Sequence, residues 1–451
     1  MEEKEMENQP TKIQENAVEC VPAPVISGEE RKERIWKTVG VCALALLMFL
    51  IGMLTQWLLI EPQMRSLIKV KDAIDRDYYE EVTDESFYGA IFDAVNGEIL
   101  DDYSCYMTAD EYAATLADSA GNREGIGLVF YTGDAQMQVY RVCGNSHAEK
   151  AGIQAGEYVV GFGRTENQLT ESESFDEFST FLSGLSSGEP FFIKLRAQGN
   201  ERLVSIAKSA YVESYVFYRS SDTAYSFTAD GAVAAQAGGA PLSALNADTA
   251  YIRLLQFSGN AATAFDKAMG IFREEGKKNL VLDMRGNGGG SLDVMQEISK
   301  YFCKNATEKK PVAVVADYGE RKTEFRAAGN VYGEYFSADS RICVLADGNS
   351  ASATECLMGL MLSYGAIEYG DICLTERGGD AKTYGKGIMQ TSYLVDVFEK
   401  DAVRLTTAKI FWPNGNCIHG RGIIAADGTK TVAESYDGDR ELIAAITALF
   451  A

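Results

Sequence analysis

Residues 349–355, Asn-Ser-Ala-Ser-Ala-Thr-Glu, combine small and hydroxyl side chains directly after an apolar run that ends at Ala346. This order predicts a strand, a tight turn and then a helix. A serine at such a junction lies where the helix dipole and free N–H groups favour negative charge, which suits a nucleophile and its oxyanion. The other interpretation is a serine that only caps the helix.

A serine nucleophile needs a base, and the sequence offers few candidates. The only histidines are His147 and His419, and neither has an obvious acidic partner in the sequence. A lysine is the alternative base, and Lys386 lies between two glycines in Tyr-Gly-Lys-Gly-Ile-Met-Gln. An amine accepts a proton only when it is neutral, so burial would have to lower its pKa from the ordinary value of about 10.4. A solvated lysine in a turn is the other interpretation.

A run of glycines in residues 281–292, Val-Leu-Asp-Met-Arg-Gly-Asn-Gly-Gly-Gly-Ser-Leu, separates an apolar strand from a helix. Glycine lets a backbone approach a ligand closely, and free N–H groups at such a turn bind anions. The stretch lacks the Gly-Lys-Ser/Thr ending of a phosphate loop and the Rossmann glycine spacing. Two interpretations remain. The N–H groups of the glycines could donate to a developing oxyanion, or the glycines could form a purely structural turn.

Together these stretches resemble the carboxy-terminal processing (tail-specific) serine peptidases. The family's Asp-Leu-Arg strand ending in Asn-Pro-Gly-Gly corresponds to the run from Asp283, with glycine in place of proline. Its Ser-Ala-Ser-Ala-Ser-Glu box corresponds to residues 350–355, and its Gly-Lys-Gly with a glutamine four residues after the lysine to residues 385–390. Residues 99–112 and 404–423 also look like segments of that family.

The resemblance implies a role for each matching residue. Ser352 would be the nucleophile, Lys386 the general base, and Gln390 the residue that orients the base. The oxyanion would be held by the N–H groups of Ala353 and of one glycine of the triplet, Gly289. No cofactor and no metal are implied.

The sequence departs from the family pattern in the spacing of the two main residues. The stretch between Ser352 and Lys386 is longer than usual, so Lys382 remains a weaker candidate for the base. Lys386 is preferred because its two flanking glycines and the downstream glutamine are intact.

Residues 123–208 predict a small strand-rich module with two helices. The stretches Arg-Glu-Gly-Ile-Gly-Leu-Val-Phe and Ala-Glu-Lys-Ala-Gly-Ile-Gln-Ala-Gly resemble a PDZ domain of bacterial proteases. In such domains the backbone N–H groups of the segment corresponding to Gly125, Ile126, Gly127 and Leu128 bind a peptide's C-terminal carboxylate while the peptide adds a strand. A hairpin edge with glycine turns is the alternative.

An uncharged stretch from Thr38 to Ile60 is long enough to cross the bilayer core of about 30 Å. It exceeds a signal-peptide core, and no small-residue cleavage pattern follows, so an uncleaved anchor is predicted. Basic residues flank its N-terminal side, which is therefore expected to be cytoplasmic: Arg31, Lys32, Arg34 and Lys37.

Composition excludes one class of function. The 451 residues carry a formal net charge of −23, which gives no basic footprint for nucleic acid. The nine cysteines include no Cys-x-x-Cys pair, so neither a disulfide framework nor a thiol redox pair is indicated.

From about residue 249 strands alternate with helices, which predicts α/β layering around a largely parallel, buried sheet. The resemblance implies a crotonase/Clp-like peptidase core with an inserted PDZ-like domain, preceded by helices and one transmembrane helix. The expected segments are a disordered cytoplasmic tail (1–34), the anchor (35–60), a helical segment (65–118), the PDZ-like domain (120–208) and the catalytic domain (209–451).

The resulting hypothesis is a single-pass membrane-anchored serine endopeptidase whose catalytic part lies outside the cytoplasm. Its partners would be protein or peptide substrates with apolar C-termini, and self-association is left open. A non-catalytic PDZ scaffold with a degenerate peptidase domain is the first alternative, and a structural envelope protein whose glycines are only turns is the second.

Overall fold

The computed structural model describes residues 28–131, 136–228, 230, 233–235, 242–376, 380–395, 400–434 and 438–450. The chain divides into two compact units after Ile91. Helices and strands of the described residues are numbered in chain order.

The N-terminal unit is helical. Its helices are α1 (Gly28–Leu59), α2 (Pro62–Asp77) and the greater part of α3 (Asp84–Ala94). Within α1, the 29 residues Arg31–Leu59 have a mean hydropathy of 2.4 over their most apolar window, and none of that window is buried. An apolar helix long enough to cross a membrane is therefore present, as expected.

The start of α1 differs from the expected disordered tail. Residues 28–34 are helical, and the i,i+4 ion pair between Lys37 Nζ and Glu33 Oε1 at 2.7 Å supports this first part of the helix. Residues 1–27, the rest of that tail, lie outside the described residues.

The expected helical segment 65–118 also contains a strand. It comprises α2, α3, β1 (Cys105–Met107) and α4 (Ala109–Ser119). A capping box begins α4, because Thr108 Oγ1 accepts from Glu111 N and Glu111 Oε2 accepts from Thr108 N. β1 pairs antiparallel with a strand near the C-terminal end, so this segment is part of the second sheet described below.

Residues 122–212 form a strand-rich module. Its elements are β2 (Asn122–Gly125), β3 (Leu128–Phe130), β4 (Met137–Val142), α5 (His147–Lys150), β5 (Tyr158–Thr165), β6 (Gln168–Glu171), α6 (Phe175–Ser183), β7 (Pro190–Ala197), β8 (Asn200–Ala207) and β9 (Ser209–Val212). The sheet order is β3-β4-β5-β7-β8 with β6 on β5, and β2 pairs with β9. The turn between β7 and β8 has positive φ at Gln198 and Gly199, as two-residue hairpin turns require.

The remaining residues form the α/β part. Its elements are β10 (Val216–Arg219), β11 (Ala224–Phe227), β12 (Val233–Ala235), β13 (Thr249–Leu254), α7 (Ala261–Glu274), β14 (Asn279–Asp283), α8 (Leu292–Ser299), β15 (Val312–Asp317), β16 (Lys322–Arg326), α9 (Tyr332–Tyr335), β17 (Ile342–Asp347), α10 (Ala353–Ser363), β18 (Ile372–Glu376), β19 (Ile388–Leu394), β20 (Ala402–Phe411), β21 (Lys430–Ala433) and α11 (Gly438–Phe450).

The main sheet has the order β12-β11-β10-β13-β14-β17-β18-β21, and β13 to β21 run parallel. Side chains alternate across it: Leu280 and Leu282 pack with α7, α8 and α10, whereas Val281 packs with α11. Helices thus cover both faces, and the predicted α/β layering is confirmed.

A second sheet, β1-β20-β15-β16 with β19 on β20, completes the fold. In this sheet β1, from the segment before the module, pairs with β20. The same β20 also pairs with β19, the strand that directly follows Lys386.

Candidate active site

Ser352 lies at the junction between β17 and α10. It immediately precedes α10 and has φ 58° and ψ −117°, which non-glycine residues rarely adopt. Strained strand-to-helix turns of this kind expose the nucleophilic hydroxyl in other hydrolases. The nearby Ser350 is fully buried, donates to Met284 O at 2.8 Å and accepts from Asp347 N at 3.0 Å. Ser350 therefore holds the turn together, and Ser352 is the serine available for chemistry.

The glycine run after β14 lies directly against Ser352. Gly289 has φ 101°, and a Cβ placed on it would be 2.8 Å from Ser352 Cβ and 2.9 Å from Ala353 N. Ala351 N donates to Asn287 O at 3.0 Å, which fixes the two turns to each other. Only glycine fits at position 289, because both the space and the backbone conformation exclude a side chain.

The candidate oxyanion donors near Ser352 are N–H groups at the start of α10 and N–H groups of the glycine run. Ala353 begins α10, where the first N–H groups have no partner within the helix. The Gly289 N–H, predicted as the second oxyanion donor, instead donates to Asn287 Oδ1 at 2.9 Å. Among the described residues no hydrogen bond engages the N–H groups of Gly288 and Gly290. The amide of Gly288, which precedes Gly289 in this loop, is therefore free of a hydrogen-bond acceptor among the described residues.

Glu355 joins the serine turn to the lysine loop. Its buried carboxylate accepts from Ser352 N at 3.0 Å and from Lys386 N at 2.9 Å, and also from Thr383 Oγ1 at 2.5 Å and Gly385 N at 2.8 Å. Burial raises the pKa of the Glu355 carboxyl above its ordinary value, and the hydrogen bonds lower it again only in part. Sequence reasoning used Glu355 only to align the motif and missed this contact.

Lys386 has the environment that a lysine base requires. Burial lowers the pKa of Lys386 below its ordinary value, the nearby charge of Arg404 lowers it further, and Asp101 opposes the shift. Its Nζ lies 4.7 Å from the ring centroid of Tyr103 and forms no ion pair with any described residue. A larger fraction of this amine is thus neutral near physiological pH than of an exposed lysine.

Lys382, the weaker candidate, lies in a different environment. Its side chain is 48% exposed, and its Nζ is 3.3 Å from Asp380 Oδ2. Lys382 is thus exposed and ion-paired, whereas Lys386 is half-buried, so the geometry favours Lys386 over Lys382.

Comparison with known proteins shows what this part of the chain is similar to. The model of peptidase family S41 matches residues 248–426, which include the glycine run, Ser352, Glu355 and Lys386. Residues 248–426 are called the S41 domain after this match. The resemblance to carboxy-terminal processing peptidases is thereby confirmed at the level of the family.

Two relatives extend the similarity beyond the S41 domain. The chain is 25% identical over 364 residues to a "Probable CtpA-like serine protease" of Staphylococcus haemolyticus, covering 80% of this chain and 64% of that protein. It is 25% identical over 370 residues to "Carboxy-terminal processing protease CtpB" of Bacillus subtilis, covering 80% and 66%. The photosystem II D1 C-terminal processing protease matches 79% of this chain and 84% of that chain at 23% identity with a TM-score of 0.42. The chain thus spans less than two thirds of the length of the first relative.

Gln390 of the S41 domain makes no hydrogen bond to Lys386, contrary to the expected orienting contact. Its Nε2 donates to Thr406 Oγ1 on β20 at 3.1 Å. The β19–β20 register shifts between Met389 and Gln390, and such a bulge re-aims the side chains around it. In this structure Gln390 therefore stabilises the β19–β20 pair, which begins just after Lys386.

The segment before the module supplies a part of the site that sequence reasoning missed. Tyr103, whose ring lies under Lys386, hydrogen bonds through its hydroxyl to Tyr384 at 3.2 Å. This bond, together with burial, raises the pKa of Tyr103 to about 12. Ser104 Oγ accepts from Thr406 N at 2.8 Å and so holds the segment on β20. The family-like stretch around Leu-Asp-Asp-Tyr-Ser was the only signal for it.

The residues predicted to bind a peptide lie at one edge of the strand-rich module. Gly125 and Gly127 have φ of 156° and 85°, Ile126 is 6% exposed in the module's core, and Leu128 begins β3. β3 is an edge strand of the described sheet, and an edge strand can pair with an added peptide. Phe130 of β3 contacts Phe175 and Phe178 of α6 at ring-centroid distances of 5.8 and 6.0 Å, so strand and helix pack against each other.

Proposed function

We propose that this chain is a membrane-anchored serine endopeptidase of the carboxy-terminal processing type, with Ser352 as nucleophile and Lys386 as general base. One observation carries the proposal. The buried carboxylate of Glu355 accepts hydrogen bonds from the backbone N–H groups of both residues, and burial lowers the pKa of the Lys386 amine.

The chemistry follows from these positions. Neutral Lys386 Nζ takes the proton of Ser352 Oγ as that oxygen attacks the carbonyl carbon of the cleaved peptide bond. The oxyanion that forms is held by the Ala353 N–H and by a glycine N–H of the loop. The protonated lysine then gives its proton to the leaving amine, and water, activated by the same lysine, releases the acyl group.

The Gly289 amide requires a local adjustment to serve as the second donor. It is satisfied by Asn287 Oδ1, so either the oxyanion shares it or the free Gly288 amide takes its place. Both alternatives keep the donor on the same loop, because the loop itself is fixed to the serine turn.

The strand-rich module, with proposed bounds 120–208, is assigned to substrate capture. A substrate tail would pair with β3, its carboxylate would meet the N–H groups of residues 125–128, and its apolar side chains would lie between β3 and α6. This arrangement delivers the chain near its C-terminus to the catalytic domain (209–451).

The helix α1 is assigned to membrane anchoring, with residues 35–60 in the bilayer and the basic N-terminal flank in the cytoplasm. The module and the S41 domain would then act outside the cytoplasm. The proposal requires a mature chain that still contains this helix, so a mature N-terminus downstream of Ile60 would contradict it.

Cleavage of an unfolded protein that ends in apolar residues tests the activity. The full-length chain in detergent micelles is compared with Ser352→Ala, Lys386→Ala and Lys382→Ala by mass spectrometry of the products. We expect wild type and Lys382→Ala to cut near the C-terminus, and Ser352→Ala and Lys386→Ala to lose at least about a thousandfold in rate. Undiminished cleavage by Ser352→Ala would exclude the proposed nucleophile.

A non-catalytic scaffold is the second candidate function. Two observations favour it: the Gly289 amide is engaged by Asn287, and Gln390 is bonded to Thr406 rather than to Lys386. It predicts that the wild-type chain binds the apolar tail but never cuts it.

A further inference from the structure

A cavity of about 410 Å³ opens beside the glycine loop of the S41 domain. It is lined by Arg141 of β4, Arg253 of β13, Arg285 and the glycines 288–290. No aspartate or glutamate is among its lining residues in the described part of the chain. The chain as a whole carries a net charge of −23, so this cavity has the opposite sign to the molecule around it.

Two of the three arginines have their charges compensated within the protein. Arg141 pairs with Glu213, which is 1% exposed. Arg285 Nη2 lies 2.7 Å from Asp283 Oδ2, and its Nη1 pairs with Glu441. Both side chains line the cavity, and neither needs a ligand to compensate its charge.

Arg253 is the exception. Its guanidinium forms no ion pair or hydrogen bond with any described residue, and its Nε is buried without a partner. Asp283 is near enough to feel its charge, but the Asp283 oxygens accept from Arg285 Nε and Nη2 and from Tyr251 Oη. A buried donor without an acceptor destabilises the protein, and Arg253 also lines the cavity, so a ligand in that cavity would supply acceptors to its guanidinium.

The chain around Arg253 connects it to the proposed reaction centre. Asn287 Nδ2 donates to Leu254 O, and Phe257 N donates to Gly289 O, both at 2.9 Å. The segment that leaves β13 therefore runs bonded along the glycine loop. A polypeptide whose carbonyl lies at that loop passes the mouth of the cavity within a few residues.

We propose that Arg253 anchors a carboxylate subsite for the substrate polypeptide. The inference rests on the proposed function, because it places the cut bond at the glycine loop. The planar guanidinium binds a carboxylate through two parallel hydrogen bonds, and the walls of Arg141 and Arg285 add positive potential. The carboxylate is an aspartate or glutamate side chain close to the cut bond, because the free C-terminus of the substrate is assigned to the N–H groups of residues 125–128.

Matched synthetic peptides test the subsite on the full-length chain in detergent micelles. The two peptides differ by Asp against Asn next to the cut bond and have the same free C-terminus. We expect wild type to favour the Asp peptide by about tenfold or more in kcat/KM. Arg253→Gln should bring that ratio close to one.

Two further variants separate loss of recognition from loss of folding. Arg321→Gln removes an exposed arginine that does not line the cavity, and the ratio should stay at the wild-type value. Arg253→Lys keeps the charge but not the paired hydrogen bonds, and an intermediate ratio is expected. A wild-type ratio near one, or a preference for Asp that persists in Arg253→Gln, overturns the proposal.

Failure of the proposed function gives a different result. If wild type cuts no peptide, fluorescence anisotropy of the same peptides on the wild-type chain decides the subsite alone. Binding that is about tenfold tighter for the Asp peptide, and lost in Arg253→Gln, supports the subsite without catalysis. Equal binding of the Asp and Asn peptides overturns it.

Discussion

At the scale of single residues, Lys386 shows how surroundings set chemistry. Burial and the charge of Arg404 disfavour its ammonium form, whereas the face of the Tyr103 ring attracts a cation and offsets part of this effect. The sequence could identify Lys386, because the two glycines that mark it are its immediate neighbours in the chain. It could not identify Tyr103, because the contact joins residues that only folding brings together.

Lys386→Met should make the protein more stable while abolishing cleavage. The folded-state pKa of Lys386 lies below its ordinary value of 10.5, so the folded state binds the proton less well than the unfolded state. The resulting penalty is fully present below the folded-state pKa and disappears as pH rises to 10.5. Urea unfolding should show a gain for the variant at neutral pH that shrinks towards pH 10.5. A variant less stable than wild type at neutral pH would contradict this account.

At the scale of elements, the site depends on two turns that lock together. The glycine run ends β14 and the serine turn ends β17, and the two neighbouring parallel strands bring both turns to the same edge of the sheet. The lysine loop is added through Glu355. The alternation of strands and helices predicted the parallel sheet. It could not predict that Asn287 Oδ1 accepts from Gly289 N, because this contact depends on one side-chain rotamer.

Gly289→Ala should disrupt this packing. Its Cβ would lie 2.8 Å from Ala351 O and from Ser352 Cβ, and the backbone φ of 101° is unfavourable for alanine. We expect a loss of about 1–3 kcal/mol in the free energy of unfolding, measured in urea, and loss of cleavage.

Gly270→Ala is the matched control for this substitution. A Cβ at position 270 meets nothing within 4 Å, and the residue lies inside α7. It should stabilise the protein by about 0.5–1 kcal/mol. A Gly289→Ala protein as stable and as active as this control would refute the close packing of the two turns.

At the scale of the whole molecule, one buried carboxylate fixes the strand-rich module to the segment that leads from it into the α/β part. Glu213 lies between β9 and β10 and pairs with Arg123 of β2 and Arg141 of β4. Burial raises the pKa of Glu213, but the two arginines outweigh it and hold the pKa below its usual range. The order of segments could be predicted from the sequence, because each has a local pattern. The Arg253 cavity could not, because it needs β4, β13 and the glycine loop together.

Direct identification of the acylated residue is the measurement that tests the central claim. The full-length chain is quenched with acid during turnover of an activated peptide ester, and the acyl group is located by peptide mass mapping. The account predicts an ester on Ser352 that forms at a wild-type rate in Lys382→Ala and is absent from Lys386→Met. An acyl group on another residue, or one formed just as fast without Lys386, would contradict it.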